Sequence, residues 1–195
     1  MERIFVLIAN RAVTSSFNLN DLAGSAGRMD IVCRFISQSL FISHGIRKNV
    51  TVYAVLKGPP EPCKIVKISG DEVRYLSPDE RNIAGMLNKA LSKKAEKDWN
   101  MVSPGVYVAR MDLSSLLDSL GDKNIYYLRE DGVDISMIDV SEPVFVIGDH
   151  TGVEREDERL LLEKAERVIS LGSTLYQADQ CVTIINYLFD RVETK

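Results

Sequence analysis

Three short stretches hold the residues best suited to grip a ligand: "YYLREDG" (126–132), "FVIGDHTG" (145–152) and "ISLGSTLY" (169–176). Each is an apolar run that stops at a small or polar loop. In open α/β sheets ligands sit beyond the carboxyl ends of such strands, where main-chain N–H and C=O groups are unpaired. Gly148 and Gly172 let the backbone approach a flat heterocycle closely. Ser173 and Thr174 stand where a helix start points its amides outward. Glycine after a strand is also the commonest way to turn a chain, so an ordinary connection explains any one of the three. Three in succession modestly strengthen the case for a binding edge.

Absences narrow the chemistry. No G-x-G-x-x-G follows a strand and no G-x-x-x-x-G-K-[ST] occurs, so neither a dinucleotide fold nor a P-loop is supported. There is no G-x-S-x-G elbow, and of the two histidines, His44 and His150, only His150 falls in a plausible site loop. With no Cys-x-x-Cys and no histidine pair at helical spacing, no metal site is expected. A transferase whose cofactor carries the activated group needs far less side-chain machinery.

The elements that must position these loops are legible from hydrophobic spacing. Arg3 to Val13 reads as a buried strand and "NVTVYAVLKG" as a second. From Arg28 to about His44 apolar residues recur at helical spacing, with Gly45 placed to cap the end. "CKIVKISGDEVRYLS" reads as a hairpin turned by Gly70-Asp71. Ser77-Pro78-Asp79 opens a helix reaching roughly Lys97, its lysine-rich last turn suiting the helix dipole. "VYVAR" precedes a short helix "DLSSLLDSL", and the charged helix "EDERLLLEKAER" separates the last two apolar strands. The final helix aligns Ala178, Cys181, Val182, Ile185, Leu188, Phe189 and Val192, and Thr174 with Gln177 fits a capping box. Strands alternating with helices predict an α/β fold, a largely parallel sheet flanked by helices. One domain over 1–195 is expected, with a β-hairpin insertion around 63–76.

A composition of 45% hydrophobic and 27% charged residues is that of a globular chain. No apolar run is long enough to span a bilayer, and the start lacks a signal peptide's pattern. Three cysteines without paired spacing suit a reducing, cytoplasmic interior. The net charge of −4 hides an asymmetry: residues 1–100 hold 15 Lys and Arg against 10 Asp and Glu, residues 101–195 hold 9 against 18. That division permits a basic RNA-facing region, although scattered surface charge accounts for it equally well.

"FVIGDHTG" followed by "VISLGSTLYQADQCVTIINYLFD" resembles the C-terminal cofactor-binding half of the SPOUT methyltransferases. With "NDLAGSAGRMDIVCRFISQSLFISHG" and "SPDERNIAGMLNKAL", the resemblance narrows to the archaeal tRNA pseudouridine N1-methyltransferases and covers essentially the whole chain. It implies a SPOUT-type fold with a C-terminal deep trefoil knot, S-adenosyl-L-methionine as methyl donor, tRNA as substrate, and a homodimer with the site at the subunit interface. Carried onto this sequence, the family's cofactor site falls on Leu128, Gly148, Leu171, Gly172, Ser173, Thr174, Leu175, Tyr176 and Cys181. Cys181 lies on an apolar helix face and reads as pocket lining, not as a nucleophile.

The implied reaction is methylation of N1 of pseudouridine in the T loop, at tRNA position 54. Pseudouridine is a C-glycoside whose ring keeps an N1–H, so the enzyme must align an in-line displacement and remove a proton. Arg28 and Asp30 are the catalytic candidates: Arg28 to hold a phosphate or ring carbonyl, Asp30 to accept or orient the N1 proton. A helix-start charge pair and a capping carboxylate are the plainer readings of the same two residues. Arg11, Arg28, Arg34, Arg47, Lys48, Lys64 and Lys67 are candidate phosphate contacts. A ribosomal RNA pseudouridine N1-methyltransferase and a non-catalytic RNA-binding module of the same fold are the rival readings.

Overall fold

The computed structural model describes residues 1–193, with the side chains of 192 and 193 outside the description. Val192, expected on the last helix's apolar face, therefore lies outside the described side chains. In chain order the elements are β1 (Arg3–Ala9), α1 (Met29–Leu40), the two-residue strands β2 (Phe41–Ile42) and β3 (Gly45–Ile46), β4 (Val50–Leu56), β5 (Lys64–Ser69) and α2 (Glu80–Leu91). There follow β6 (Asn100–Ser103), β7 (Val106–Ala109), α3 (Leu113–Ser119) and β8 (Asn124–Asp134). The chain closes with β9 (Pro143–Gly148), α4 (Arg155–Lys164), β10 (Arg167–Ser170) and α5 (Ala178–Glu193).

One eight-stranded sheet runs β10-β8-β9-β1-β4-β5-β7-β6. From β10 to β4 every pairing is parallel; from β4 to β6 every pairing is antiparallel. All seven residues of β1 are buried, as a central strand covered on both faces requires. Its side chains alternate between two cores. Phe5, Leu7 and Ala9 pack with residues of α1, α2 and α5, while Ile4, Val6 and Ile8 pack with Leu113, Leu116 and Leu117 of α3 and Leu161 of α4. This is the doubly covered, largely parallel α/β sheet that the strand–helix alternation predicts.

Three local expectations are corrected. The hairpin at 63–76 does not form: β5 is an interior strand between β4 and β7, and no strand follows Gly70 before α2. Gly70 lacks the positive φ such a turn needs, and a Cβ there would lie 2.0 Å from the Arg47 carbonyl oxygen. Its absent side chain serves close packing against the segment before β4. Gly45 does not cap α1; the helix ends at Leu40 and Gly45 pairs with Ile42 in a small β2–β3 ladder. The Thr174–Gln177 capping box is likewise absent, because α5 begins only at Ala178 and Gln180 Oε1 accepts from the Gln177 amide.

The order β10-β8-β9-β1 sets the carboxyl ends of four parallel strands side by side. β8 and β10 pair in two blocks, Tyr126–Tyr127 and Val133–Asp134, with residues 128–132 bulged between them. A Cβ on Gly132 would sit 2.4 Å from the Ile169 carbonyl carbon, so only glycine lets the bulge cross β10 so closely.

Candidate functional site

A cleft of about 870 Å³ opens beyond the carboxyl ends of β10, β8 and β9. It falls within the size range of small-molecule sites. Leu128 follows the paired part of β8, Gly148 ends β9, and Leu171, Gly172, Thr174, Leu175 and Tyr176 come from the connection between β10 and α5. Cys181 enters from the first turn of α5. Ser173 is exposed and does not line the cleft. Gly172 adopts φ +95°, a conformation that side chains avoid, and shapes the 171–177 turn. A Cβ on Gly148 would lie 2.7 Å from the Gly152 carbonyl carbon, which lets residues 149–152 fold back over the strand end.

Buried or half-buried apolar groups, Leu128, Ile147, Leu171 and Cys181, share the walls with main-chain groups of the 171–177 turn. That combination suits a planar heterocycle gripped by its faces and read along its edge. Burial pushes the Cys181 thiol up to about 11, so it stays protonated at neutral pH. Its Sγ lies 3.6 Å from the Tyr176 carbonyl oxygen, and it lines the wall without nucleophilic character.

The opposite lip is a charged chain. Arg28 Nε and Nη2 donate to the two carboxylate oxygens of Asp30 at 3.0 Å each, and Arg34 Nη1 donates to Asp30 Oδ2 at 2.9 Å. Arg34 reaches on towards Asp179, in the first turn of α5, at 3.8 Å. Asp30 is only 11% exposed, whereas both arginine side chains are 37% exposed and face the cleft. Burial opposes ionisation of Asp30, but the two guanidiniums outweigh it and hold its pKa below the ordinary carboxylate value. Asp30 in turn raises the pKa of Arg28. The carboxylate itself does not line the cleft; it orients the two arginines that do.

Arg28 occupies the left-handed region, φ 66° and ψ 37°, directly after Gly27 at φ +65°. Such a conformation costs a non-glycine residue about 1 kcal/mol or more and collects at functional sites. It is enforced by packing, since a Cβ on Gly27 would fall 1.9 Å from the Arg11 carbonyl oxygen. The turn thus aims the Arg28 side chain without relying on a side-chain helix cap.

Sequence reasoning missed two polar groups. Asp149, after Gly148, accepts from the Asn10 amide at 2.8 Å and from the Thr151 amide and hydroxyl at 2.8 and 2.7 Å. It lines the cleft and adds to the field that raises the Arg28 pKa. Its signal was its place in "GDHTG", but the partner Asn10, at the end of the neighbouring strand, is 139 residues away. On the far wall Tyr127 and Arg129 both donate to Glu158 Oε1, at 3.4 and 3.3 Å, tying β8 to α4.

A family model described as "Putative SAM-dependent RNA methyltransferase", SAM being S-adenosyl-L-methionine, matches residues 2–194. The chain belongs to this methyltransferase family. A Methanocaldococcus jannaschii protein named tRNA (pseudouridine(54)-N(1))-methyltransferase is 46% identical over 198 residues, covering 97% of each chain. A Methanosarcina acetivorans protein of the same name is 44% identical, covering 99% of this chain and 93% of its own. Among solved structures, Archaeoglobus fulgidus Nep1 bound to S-adenosylhomocysteine aligns over 100% of both chains with a TM-score of 0.70 at 16% identity. At that identity the likeness shows the shared SPOUT-type α/β fold.

The methyltransferase deploys its candidate phosphate contacts unevenly. Arg28 and Arg34 line the cleft, and Arg11 is exposed just beyond β1. Arg47 and Lys48 precede β4, whose first residue pairs with Arg3 at the opposite edge of the sheet. Arg47 is held there by Asp190 at 2.8 and 2.7 Å. Lys64 is buried, donating to the Thr14 carbonyl at 2.8 Å, and Lys67 lies over the rings of Tyr53 and Tyr107. The basic half of the sequence is therefore not one basic surface.

Proposed function

We propose that this chain transfers a methyl group from S-adenosyl-L-methionine to N1 of pseudouridine 54 in the T loop of tRNA. The observation that carries the reading is the cleft itself: three strand ends and a glycine-bent turn form an apolar, main-chain-rich wall opposite two aimed arginines. The names of relatives at 44–46% identity over nearly full length support the substrate. The bound cofactor supplies an electrophilic methyl group on a sulfonium. Leu128, Gly148, Leu171, Gly172, Thr174, Leu175, Tyr176 and Cys181 bind its adenosyl part, with Ser173 completing the turn's backbone. Arg28 and Arg34 hold the anionic and carbonyl oxygens of the incoming nucleotide.

Asp30 orients those arginines. A carboxylate clamped by two guanidiniums is a weak base, so the N1 proton is released to solvent water while the positively charged lip, aimed by Asp30, favours the deprotonated ring. Reaching a base in a folded T loop requires the nucleotide to swing out of the stack. The whole chain acts as one domain, in the cytoplasm where tRNA is processed, and its C-terminal segment closes as a trefoil knot. It works as a homodimer: Leu175, Tyr176 and Tyr187 are 73%, 42% and 58% exposed on the 171–177 turn and α5, an apolar surface beside the cleft that a second copy covers.

The test is transfer of labelled methyl to matched RNAs. Methylation of tRNA with pseudouridine at position 54, and none with uridine there, is the expected result. Preference for a ribosomal RNA fragment with pseudouridine would favour the ribosomal enzyme, and cofactor binding without transfer to any RNA would sink the catalytic reading.

A further inference from the structure

The cleft uses the ends of β10, β8 and β9, but the same edge of the sheet continues past β1 and β4 to β6. Three loops meet there. The amide of Thr14 donates to the Pro59 carbonyl at 2.8 Å, and the Thr14 hydroxyl accepts from the Glu61 amide at 2.9 Å. Phe17 N donates to Asn88 Oδ1 near the end of α2 at 2.8 Å, and Arg110 N donates to the Glu96 carbonyl at 2.6 Å. The loop after β1, the loop after β4 and the segment around the end of α2 thus form one stitched surface.

That surface is basic. Arg11, Lys89, Lys93, Lys94, Lys97 and Arg110 are all exposed, and among the described residues none forms an ion pair within 4.0 Å. Of the nearby carboxylates, Glu61 is paired with Lys64 at 3.1 Å and is felt more weakly by Arg110, and Asp112 caps α3. On the same segment as the lysines, the exposed Glu96 and Asp98 balance only part of the positive charge of the six cations. The helix dipole accounts for lysines at the end of α2, but not for Arg11, Lys97 or Arg110, which lie on other segments. Uncompensated like charge gathered from three segments is unfavourable alone and favourable against a polyanion.

We propose that this edge is a second RNA-contact surface, which holds the backbone of a base-paired stem while the target nucleotide enters the cleft. The inference rests on the reading of the chain as a tRNA methyltransferase. From β1 to β6 the edge spans four strand spacings, roughly 20 Å. That reaches several phosphates from the cleft. The aromatic rings along this edge, Phe17 beside Asn88 and Trp99 against Tyr53 at 5.8 Å, are half-buried rather than exposed as stacking platforms. Single-strand platforms stack bases on aromatic side chains, whereas duplex RNA is held through phosphates and shape. The surface is built for the second.

The deciding experiment compares the intact protein with a variant carrying Lys93→Gln, Lys94→Gln, Lys97→Gln and Arg110→Gln. Binding to a tRNA transcript is followed against salt, and methyl transfer is followed on tRNA and on a T-loop oligonucleotide too short to form the stem. The variant should show a salt slope shallower by up to about 3.6, at roughly 0.9 per duplex phosphate contact for four cations. Its KM for tRNA should rise about tenfold or more, with kcat, cofactor affinity and Tm unchanged and with wild-type transfer to the short oligonucleotide. An unchanged slope and KM would overturn the proposal, as would equal losses on both RNAs. If the wild-type protein transfers no methyl to pseudouridine-containing tRNA, the proposed reaction fails, while the salt slope still reads this surface.

Discussion

Two carboxylates in this molecule are each gripped by two arginines, at opposite edges of the same sheet, and they are built inside out relative to one another. At the cleft Asp30 is the buried partner, 11% exposed, and Arg28 and Arg34 stand 37% exposed. At the other edge Arg3 is buried, 0% exposed, and Arg47 is 16% exposed, while Asp190 is 40% exposed. Arg3 also donates to Asn186 at 2.9 Å and lies over the Phe189 ring, so this cluster fastens α5 to β1. Burying the anion and exposing the cations presents positive charge to a ligand. Burying the cation under a helix makes a clasp. The same residue types thus yield a site in one place and a joint in the other, and burial decides which.

The sharpest way to break the comparison is to remove one arginine from the cleft. Arg28→Ala should lower kcat/KM for tRNA by about a hundredfold or more, on the scale of losing a preorganised donor at a reacting centre, with Tm nearly unchanged. Steady-state kinetics beside thermal melting checks both halves, and a large fall in Tm with retained activity would erase the contrast. Asp190→Ala should do the reverse. It leaves Arg3 buried with a charge partner lost, lowering unfolding stability by about 2–3 kcal/mol, the lower side for a buried pair because Asp190 is partly solvated. Denaturant titration reads this, with activity of the folded fraction preserved.

Asp30→Asn lies between the two. Neutral asparagine keeps the shape but leaves two guanidiniums uncompensated, so both stability and kcat/KM should fall, the latter about tenfold. A rise in activity would show that the carboxylate restrains the arginines instead of aiming them. In acid the two clusters should behave alike, since Asp30 and Asp190 both have pKa values lowered by their arginines against the opposing effect of burial. A carboxylate with a depressed folded pKa stabilises the fold fully above its unfolded value, ordinarily 3.8, and loses that contribution as pH falls through the still lower folded value. Stability measured from pH 5 downwards should therefore fall less steeply in Asp30→Asn and Asp190→Asn than in the wild type. The smallest effect belongs to Cys181→Ala: with the thiol protonated to about 11, activity should stay within a few-fold of wild type.

Much of this was legible beforehand. The apolar run at residues 4–9 of β1 and the 3–4 spacing of α1 and α5 gave away a covered parallel sheet, and "FVIGDHTG" and "ISLGSTLY" marked strand ends that the sheet order sets side by side. What misled was local: Gly70-Asp71 has hairpin chemistry, yet Gly70 serves a close approach to the Arg47 carbonyl that only tertiary packing creates. Lys64 and Arg47 looked like surface cations until the fold buried one and paired the other.

The sequence by itself determined the principal strands and helices, though not the hairpin that fails to form or the short strands β2, β3 and β6, because periodicity is a property of neighbouring residues. Only the tertiary structure decided that Asp149 would meet Asn10, that Asp30 would be buried and Arg3 would be too, and that cations from three segments would share one edge. Electrostatic roles depend on distance and desolvation, and both are set by strand order, which no local stretch of chain contains.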